Sequence, residues 1–124
     1  MGVRVIFADD DENFRGSLIR FFKSKVPADV EVIEVPTGES LVDKVKSEQF
    51  NLVFTDYDLG KGMNGVDAIK AIRADNPQIP IYMVSASKKE EEAMLAGATG
   101  YFDKTFNTIL SGLESAIKKP PFKL

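Results

Sequence analysis

The sequence predicts an α/β protein built on a doubly wound, five-stranded parallel sheet with five helices. Short apolar runs alternate five times with longer stretches of helical periodicity along the 124 residues. The apolar runs contain few polar residues, which is typical of parallel strands covered by helices on both faces. Right-handed crossovers between such strands then produce an open sheet.

The first half of the chain contains three predicted strands and two predicted helices. The strands are the apolar runs 4–8, 30–35 and 52–55. Apolar residues recur at three- and four-residue spacing over 12–25 and 39–47, which indicates one buried face of a helix in each stretch. The first two strands are thus each followed by a helix before the next strand begins.

The second half of the chain continues the same alternation. Helices are predicted over 65–75, within 90–96 and over 109–117, where apolar residues again recur at helical spacing. Strands are predicted at 81–84 and, more briefly, at 101–102. We expect one domain over the whole chain, 1–124, with a core of about 4–118 and a short tail over 119–124.

The composition excludes several kinds of chemistry. The chain has no Cys and no His, which removes disulfides, thiol nucleophiles, Ser-His triads and histidine metal sites. Its net charge of −3 argues against nucleic-acid binding, which usually requires a basic face. No stretch approaches the roughly 18 apolar residues of a membrane span, and the start is too charged for a signal peptide. We therefore expect a cytoplasmic protein that binds neither nucleic acid nor membrane.

Acidic, hydroxyl and basic side chains follow the predicted strands where each strand ends. They are Asp9 and Asp10 after the first strand, Asp56 and Asp58 after the third, Ser85 and Ser87 after the fourth, and Lys104 after the fifth. The carboxyl ends of parallel strands meet at one edge of the sheet, so we expect these groups to converge. Converging carboxylates repel one another unless a cation offsets the charge, and oxygen-only ligands favour Mg²⁺. A nearby lysine and hydroxyl suit a phosphoryl group.

At these residues the chain resembles the receiver domains of two-component response regulators, in particular the chemotaxis-type receivers that stand alone. The matching segments are the acid pair Asp9-Asp10, the run 52–56 that ends in Asp56, the Val84-Ser85-Ala86 triplet, and the run 97–104 that ends in Lys104. The resemblance extends over 4–117 and implies a flavodoxin-like fold of five βα units. Each motif alone is weak, but their order and spacing together are specific.

The resemblance implies a phosphoacceptor and a metal site. Asp56 would accept a phosphoryl group from a histidine kinase or a histidine phosphotransfer protein. Asp10 and Asp56 would bind Mg²⁺ directly, Asp9 through a water molecule, and Asp58 through its backbone carbonyl. The domain would then act in signalling rather than as an enzyme, with at most self-catalysed phosphorylation and dephosphorylation.

The resemblance also implies how the modification is held and transmitted. Lys104 and the Ser85 hydroxyl would each contact a phosphoryl oxygen. Tyr101 would be the aromatic switch that rotates inward once Ser85 moves toward the phosphate, and this would change a partner-binding face. Asp58 and Ser87 flank the site and could tune the lifetime of the acyl phosphate. The downstream protein target is not identified by the sequence.

The chain departs from the family pattern at three places. Lys104 is followed by Thr105 instead of proline, so we expect a trans peptide bond there, because a cis bond before a non-proline residue costs about 3–4 kcal/mol. The segment 56–65 is one position longer than the pattern. The segment 85–104 is shorter, which predicts a short fourth helix.

Two other functions are compatible with the same residues. A small Mg²⁺-dependent phosphatase would use Asp56 as nucleophile and Asp58 as acid. A degenerate receiver would bind its partner without phosphorylation. The glycines of 60–65 also fit a dinucleotide-binding pattern, but the two carboxylates that precede them would repel a pyrophosphate.

Overall fold

Five parallel strands form a single sheet at the centre of the molecule. The computed structural model describes residues 3–11, 16, 17, 20, 24 and 30–103. The strands are β1 (Val3–Ala8), β2 (Val30–Val35), β3 (Leu52–Thr55), β4 (Ile81–Ser85) and β5 (Gly100–Asp103), and the helices that we number are α1 (Gly38–Ser47), α2 (Gly65–Asp75) and α3 (Glu90–Ala96). Residues 16, 17, 20 and 24 of the first predicted helix are helical, whereas the last predicted helix lies outside the described residues.

The strand order is β2-β1-β3-β4-β5, and every neighbouring pair is parallel. This is the doubly wound arrangement that the alternation of strands and helices predicts, so the predicted fold class is confirmed. Ala8 pairs with Thr55, and Ser85 pairs with Asp103. Because of this register, β1 and β3 end at the same level, and so do β4 and β5. The residues that follow these strands therefore lie at one edge of the sheet.

The helix boundaries follow from local capping. The Thr37 hydroxyl accepts the N–H of Ser40 at 3.0 Å, and the Ser40 hydroxyl accepts the N–H of Thr37 at 3.2 Å, which starts α1 with a capping box. The Asn64 side chain accepts the N–H of Asp67 at 2.8 Å and starts α2. The fourth predicted helix, α3, has seven residues and is capped at its C-terminal end by Gly97, whose φ of 111° favours glycine.

The strand ends differ from the predicted ones by a single residue at most at each end. β1 begins at Val3, β4 extends to Ser85, and β5 covers Gly100–Asp103. The extension of β4 has a physical cause, because pairing with β5 continues to the Ser85 position. Ser85, a polar residue of the predicted site, therefore belongs to β4 itself.

The core explains why the strands are apolar on both faces. One face, with Ile6, Val53, Ile81 and Met83, packs against buried residues from all three numbered helices. The opposite face carries a row of stacked rings across four strands: Phe7, Phe54, Tyr82 and Phe102, with successive centroids 4.7, 5.7 and 5.5 Å apart. Successive residues of one strand point to opposite faces, so both faces need apolar side chains. None of the helices that the structure describes has the length and apolar character needed to cross a bilayer.

Candidate functional site

Three carboxylates meet where β1 and β3 end. Asp9 and Asp10 follow β1, and Asp56 follows β3, the neighbouring strand. The N–H of Asp56 donates to the carbonyl of Ala8 at 2.9 Å, which joins the two strand ends directly. One carboxylate oxygen from each of the three residues lies within 4.8 Å of the other two. The sheet thus brings together three of the residues that the sequence singles out.

Burial makes this cluster chemically unusual. Asp9 is 3% exposed and Asp56 is 5% exposed, whereas Asp10 is exposed. Two buried carboxylates and a third beside them repel one another at this distance unless positive charge or hydrogen-bond donors offset the repulsion. The donor set consists of oxygen atoms alone, which suits a hard divalent cation. These three residues could therefore hold a metal ion.

Main-chain donors orient the buried carboxylates. The N–H of Tyr57 donates to Asp56 Oδ1 at 2.7 Å, and the N–H of Asp11 donates to Asp9 Oδ1 at 2.8 Å. Each bond comes from a residue one or two positions further along, so the geometry depends only on how the chain leaves the strand. Such bonds to a carboxylate are strong and fix its rotamer. Both buried acids are thereby held in place before any ligand binds.

A close approach of α2 fixes the position of Asp56 from the other side. A Cβ atom at Gly65 would lie 2.9 Å from the carbonyl carbon of Asp56, and closer still to its oxygen. The N–H of Gly65 donates to the carbonyl of Tyr57 at 2.9 Å. Only glycine permits this approach, because every other residue would place a Cβ against the main chain of Asp56.

The connection between Asp56 and α2 turns through two further glycines. Gly60 and Gly62 have φ values of 75° and 93°, in the region that favours glycine. The residues from Asp56 to Leu59 separate these glycines from β3. A dinucleotide loop needs its first glycine directly after the strand, so the glycine pattern here serves a turn.

The end of β4 places two hydroxyl groups at the edge of the sheet where the three aspartates lie. Ser85 is fully buried, and its Oγ accepts the N–H of Ser87 at 3.1 Å. Among the described residues, no acceptor is found for the Ser85 hydroxyl proton. The Ser87 hydroxyl donates to Asp58 Oδ2, so the segments that follow β3 and β4 are joined directly. Asp58 and Ser87, both predicted to flank the site, therefore contact each other.

Tyr101 lies inward in this structure. Its ring is half-buried and packs against the core. Its hydroxyl donates to the carbonyl of Ser85 at 3.1 Å and accepts the N–H of Lys89 at 3.2 Å. The rotation of Tyr101 in response to phosphate stays a prediction.

Lys104 and the Lys104-Thr105 bond lie outside the described residues. Asp103, the last residue that the structure describes, pairs with Ser85 at the end of β5. The role of Lys104 and the geometry of that bond therefore stay predictions.

Sequence reasoning missed one contact at this edge. The Lys89 ammonium lies 4.9 Å from the centroid of the Tyr57 ring, and its side chain is only 35% exposed. The sequence indicates a solvated start of a helix at Lys89, because charged residues surround it. Nothing in the spacing of the two residues signals the contact, since they lie on different loops. An aromatic residue directly after Asp56 is the only hint that the sequence offers.

Comparison with known proteins shows that the chain is similar to response regulators. The sequence model of the response regulator receiver domain matches residues 5–117. Chemotaxis protein CheY-3 of Vibrio cholerae is 37% identical over 78 residues, which are 59% of this chain and 59% of that protein. Response regulator protein VraR of Staphylococcus aureus is 29% identical over 123 residues, which are 96% of this chain and 56% of that protein. The chain thus matches less than two thirds of either relative's length.

Solved structures show the same fold. A putative response regulator from Chloroflexus aurantiacus superposes with a TM-score of 0.81 at 21% identity, covering 95% of this chain and 96% of that one. Chemotaxis response regulator CheY4 of Vibrio cholerae superposes with a TM-score of 0.80 at 24% identity, covering 93% and 98%. The receiver domain of Saccharomyces cerevisiae Ssk1, in its co-crystal with the histidine phosphotransfer signaling protein Ypd1, gives 0.80 at 22% identity, covering 94% and 87%.

The family match covers most of the chain, and the strand order and the cluster of acids agree with it. The chain therefore belongs to the family of response regulator receiver domains, the signalling domains of two-component systems.

Proposed function

We propose that the chain accepts a phosphoryl group on Asp56 in a Mg²⁺-dependent reaction, and that the modification switches its partner-binding face. The observation that carries the proposal is the cluster of Asp9, Asp10 and Asp56, whose oxygens lie within 4.8 Å of one another. Two of these acids are buried, whereas acidic residues that only interact with solvent lie exposed at the surface.

Four residues provide the metal site in this proposal. Asp10 and Asp56 bind Mg²⁺ directly, Asp9 binds it through water, and Asp58 contributes its backbone carbonyl. The set contains oxygen donors alone, as Mg²⁺ prefers. When bound, the ion supplies positive charge that offsets both the carboxylates and the phosphoryl oxygens. Without that charge, a carboxylate would have to approach an anionic donor against repulsion from two neighbouring carboxylates.

The transfer step needs a donor histidine from another protein, since this chain has no His. A carboxylate oxygen of Asp56 attacks phosphorus, an O–P bond forms, and the N–P bond breaks with its electron pair left on the imidazole nitrogen. The Tyr57 N–H, 2.7 Å from Asp56 Oδ1, holds the carboxylate in one orientation during the attack. The Ser85 hydroxyl and the Lys104 ammonium then bind phosphoryl oxygens.

The donor in this proposal is a histidine kinase or a histidine phosphotransfer protein. The Ssk1 receiver, whose fold this chain shares, was crystallised with the phosphotransfer protein Ypd1, which supports a donor of this kind. The protein acts in the cytoplasm, and its downstream partner is another protein. Asp58 and Ser87, which join across the site, set how readily water reaches the acyl phosphate and so tune its lifetime.

Intact-protein mass spectrometry tests the proposal. The protein is incubated with acetyl phosphate and Mg²⁺, and we expect a stoichiometric gain of one phosphoryl group that decays after the donor is removed. Asp56→Asn should abolish the gain, while Asp43→Asn, which changes an exposed aspartate of α1, should keep it. Labelling that persists in Asp56→Asn would overturn the assignment. Sustained turnover of a phosphomonoester would instead identify a phosphatase.

A further inference from the structure

Two contacts join the loops that lie on either side of the site. We call residues 57–64, after β3, the acceptor loop, and residues 86–89, after β4, the switch loop. The Ser87 hydroxyl donates to Asp58, and the Lys89 ammonium lies 4.9 Å from the centroid of the Tyr57 ring. A cation over the face of an aromatic ring is attracted by the ring's electron density. The two loops are therefore connected at both ends of the switch loop.

Lys89 takes part in this connection through both its side chain and its main chain. Its N–H donates to the hydroxyl of Tyr101 at 3.2 Å, and that hydroxyl donates to the carbonyl of Ser85 at 3.1 Å. On the other side, the N–H of Tyr57 donates to Asp56 Oδ1 at 2.7 Å. An unbroken series of contacts thus leads from the acceptor carboxylate through Tyr57 and Lys89 to Tyr101 and Ser85.

The backbone between the two contacts shows why the switch loop needs support. Lys88 has a φ of 51°, and it is the one non-glycine residue with positive φ in the part of the chain that the structure describes. A side chain in this region costs free energy, so such a residue persists where neighbouring contacts hold it. Ser87 and Lys89, on either side of Lys88, provide those contacts.

We propose that Lys89 is a positioning residue for the phosphorylation site, and this rests on the function proposed above. Its ammonium, held on the Tyr57 ring, keeps the switch loop where the buried Ser85 hydroxyl can donate to a phosphoryl oxygen and where Tyr101 lies inward. The contact stabilises this arrangement before the phosphoryl group arrives. Lys89 itself does not touch the phosphoryl group.

The expected size of the effect follows from the exposure of the contact. Lys89 is 35% exposed, so the contact is partly solvated, and such contacts change an equilibrium by about two- to fivefold. Lys89→Met keeps the length of the apolar part of the side chain but removes the charge. We expect it to weaken the binding of a phosphoryl mimic by this factor and to leave the binding of Mg²⁺ alone unchanged.

The test is a calorimetric titration of beryllium fluoride, a mimic of a bound phosphoryl group, in saturating Mg²⁺. Lys89→Arg should restore the wild-type affinity, because guanidinium also stacks on an aromatic ring. Lys88→Met removes a charge from the neighbouring position, which contacts no aromatic ring among the residues that the structure describes, and should have no effect. Glu92→Gln removes the ion pair of 3.9 Å with Lys89 and should also leave the affinity unchanged.

A double-mutant cycle identifies the partner of Lys89. Tyr57→Leu should weaken binding as much as Lys89→Met, and the double variant should be no weaker than either single one. Tyr57→Phe retains the ring and should retain the affinity. Urea midpoints recorded alongside will show whether each variant is folded.

The outcomes separate this inference from the proposed function. If the wild type binds beryllium fluoride and Lys89→Met binds it equally well or more tightly, the positioning role is wrong and the phosphoacceptor stands. If effects of Lys89→Met and Tyr57→Leu simply add, the contact between them is not the cause. If the wild type binds no beryllium fluoride in Mg²⁺, both proposals fall.

Discussion

Gly65→Ala is the substitution whose effect the structure defines most sharply. The new Cβ would lie 2.9 Å from the carbonyl carbon of Asp56 and 2.9 Å from Cε of Met83, whereas ordinary contacts of a Cβ begin at 3.4 Å. Met83 can move its flexible end, but the main chain of Asp56 cannot yield in the same way. The carbonyl carbon alone requires the start of α2 and the end of β3 to separate by about half an ångström, and the carbonyl oxygen of Asp56, which lies closer still, requires more.

This separation strains the bond that joins α2 to the segment after β3. The N–H of Gly65 donates to the carbonyl of Tyr57 at 2.9 Å, so this bond stretches as α2 retreats. Overpacking of this kind costs about 1–3 kcal/mol, and we expect a loss of about 2 kcal/mol in the free energy of unfolding. Displacement of the Asp56 carboxylate should also slow its labelling by acetyl phosphate by about tenfold.

Urea unfolding and labelling rates measure the two effects. Gly16→Ala is the matched control, because the nearest atom that a Cβ there would meet among the described residues is the end of the Arg20 side chain, at 3.9 Å. Residue 16 is helical, so alanine should leave the stability unchanged or raise it by up to about 1 kcal/mol. If Gly65→Ala is as stable as the wild type and is labelled at the same rate, the close approach of α2 to Asp56 does not govern the site.

Two further predictions concern the frame around the site. The N–H of Met63 donates to the Glu39 carboxylate and lowers the pKa of Glu39 below its ordinary value of 4.5. The stabilisation from Glu39 is therefore complete above about pH 4.5 and disappears as the pH falls through the lowered pKa. The difference in urea midpoint between the wild type and Glu39→Gln should shrink as the pH falls below 4.5, and a difference that stays constant on acidification would refute this interpretation. Arg73, whose pKa is lowered by burial, donates to the carbonyls of Gly97 at 2.7 Å and Ile79 at 2.6 Å. Arg73→Met should leave these carbonyls without their donor and cost about 1–3 kcal/mol, whereas Lys70→Met, on the exposed side of α2, should be neutral by urea unfolding.

The sequence predicts the fold well because the same alternation of an apolar strand and a helix with one apolar face repeats along the chain. The runs at 30–35 and 52–55 are β2 and β3 with the same boundaries, and 65–75 and 90–96 are α2 and α3. Strand polarity alone then determines which residues share an edge of the sheet. The sequence alone therefore predicts that Asp9 and Asp56 lie close together, although 46 residues lie between them in the chain.

Contacts between loops could not be predicted in this way. Tyr57 and Lys89 belong to loops that follow β3 and β4, and nothing in the periodicity of either segment fixes where their side chains meet. The bond between Ser87 and Asp58 depends on the turn at Lys88, whose positive φ is not signalled by its residue type. Loop conformation is set by such tertiary contacts, so the predicted residues of the site were identified but their mutual bonds were not.

The dependence of labelling on Mg²⁺ tests the central claim most directly, because that claim is that three carboxylates form one cation site around the acceptor. The rate of labelling by acetyl phosphate is measured against Mg²⁺ concentration in the wild type and in Asp10→Asn. Removing one of three clustered charged ligands should raise the half-saturating concentration by at least about tenfold. We expect the wild type to saturate with Mg²⁺ and to be inert in a chelator. Equal labelling with and without the ion, or the same half-saturating concentration in both proteins, would contradict the account.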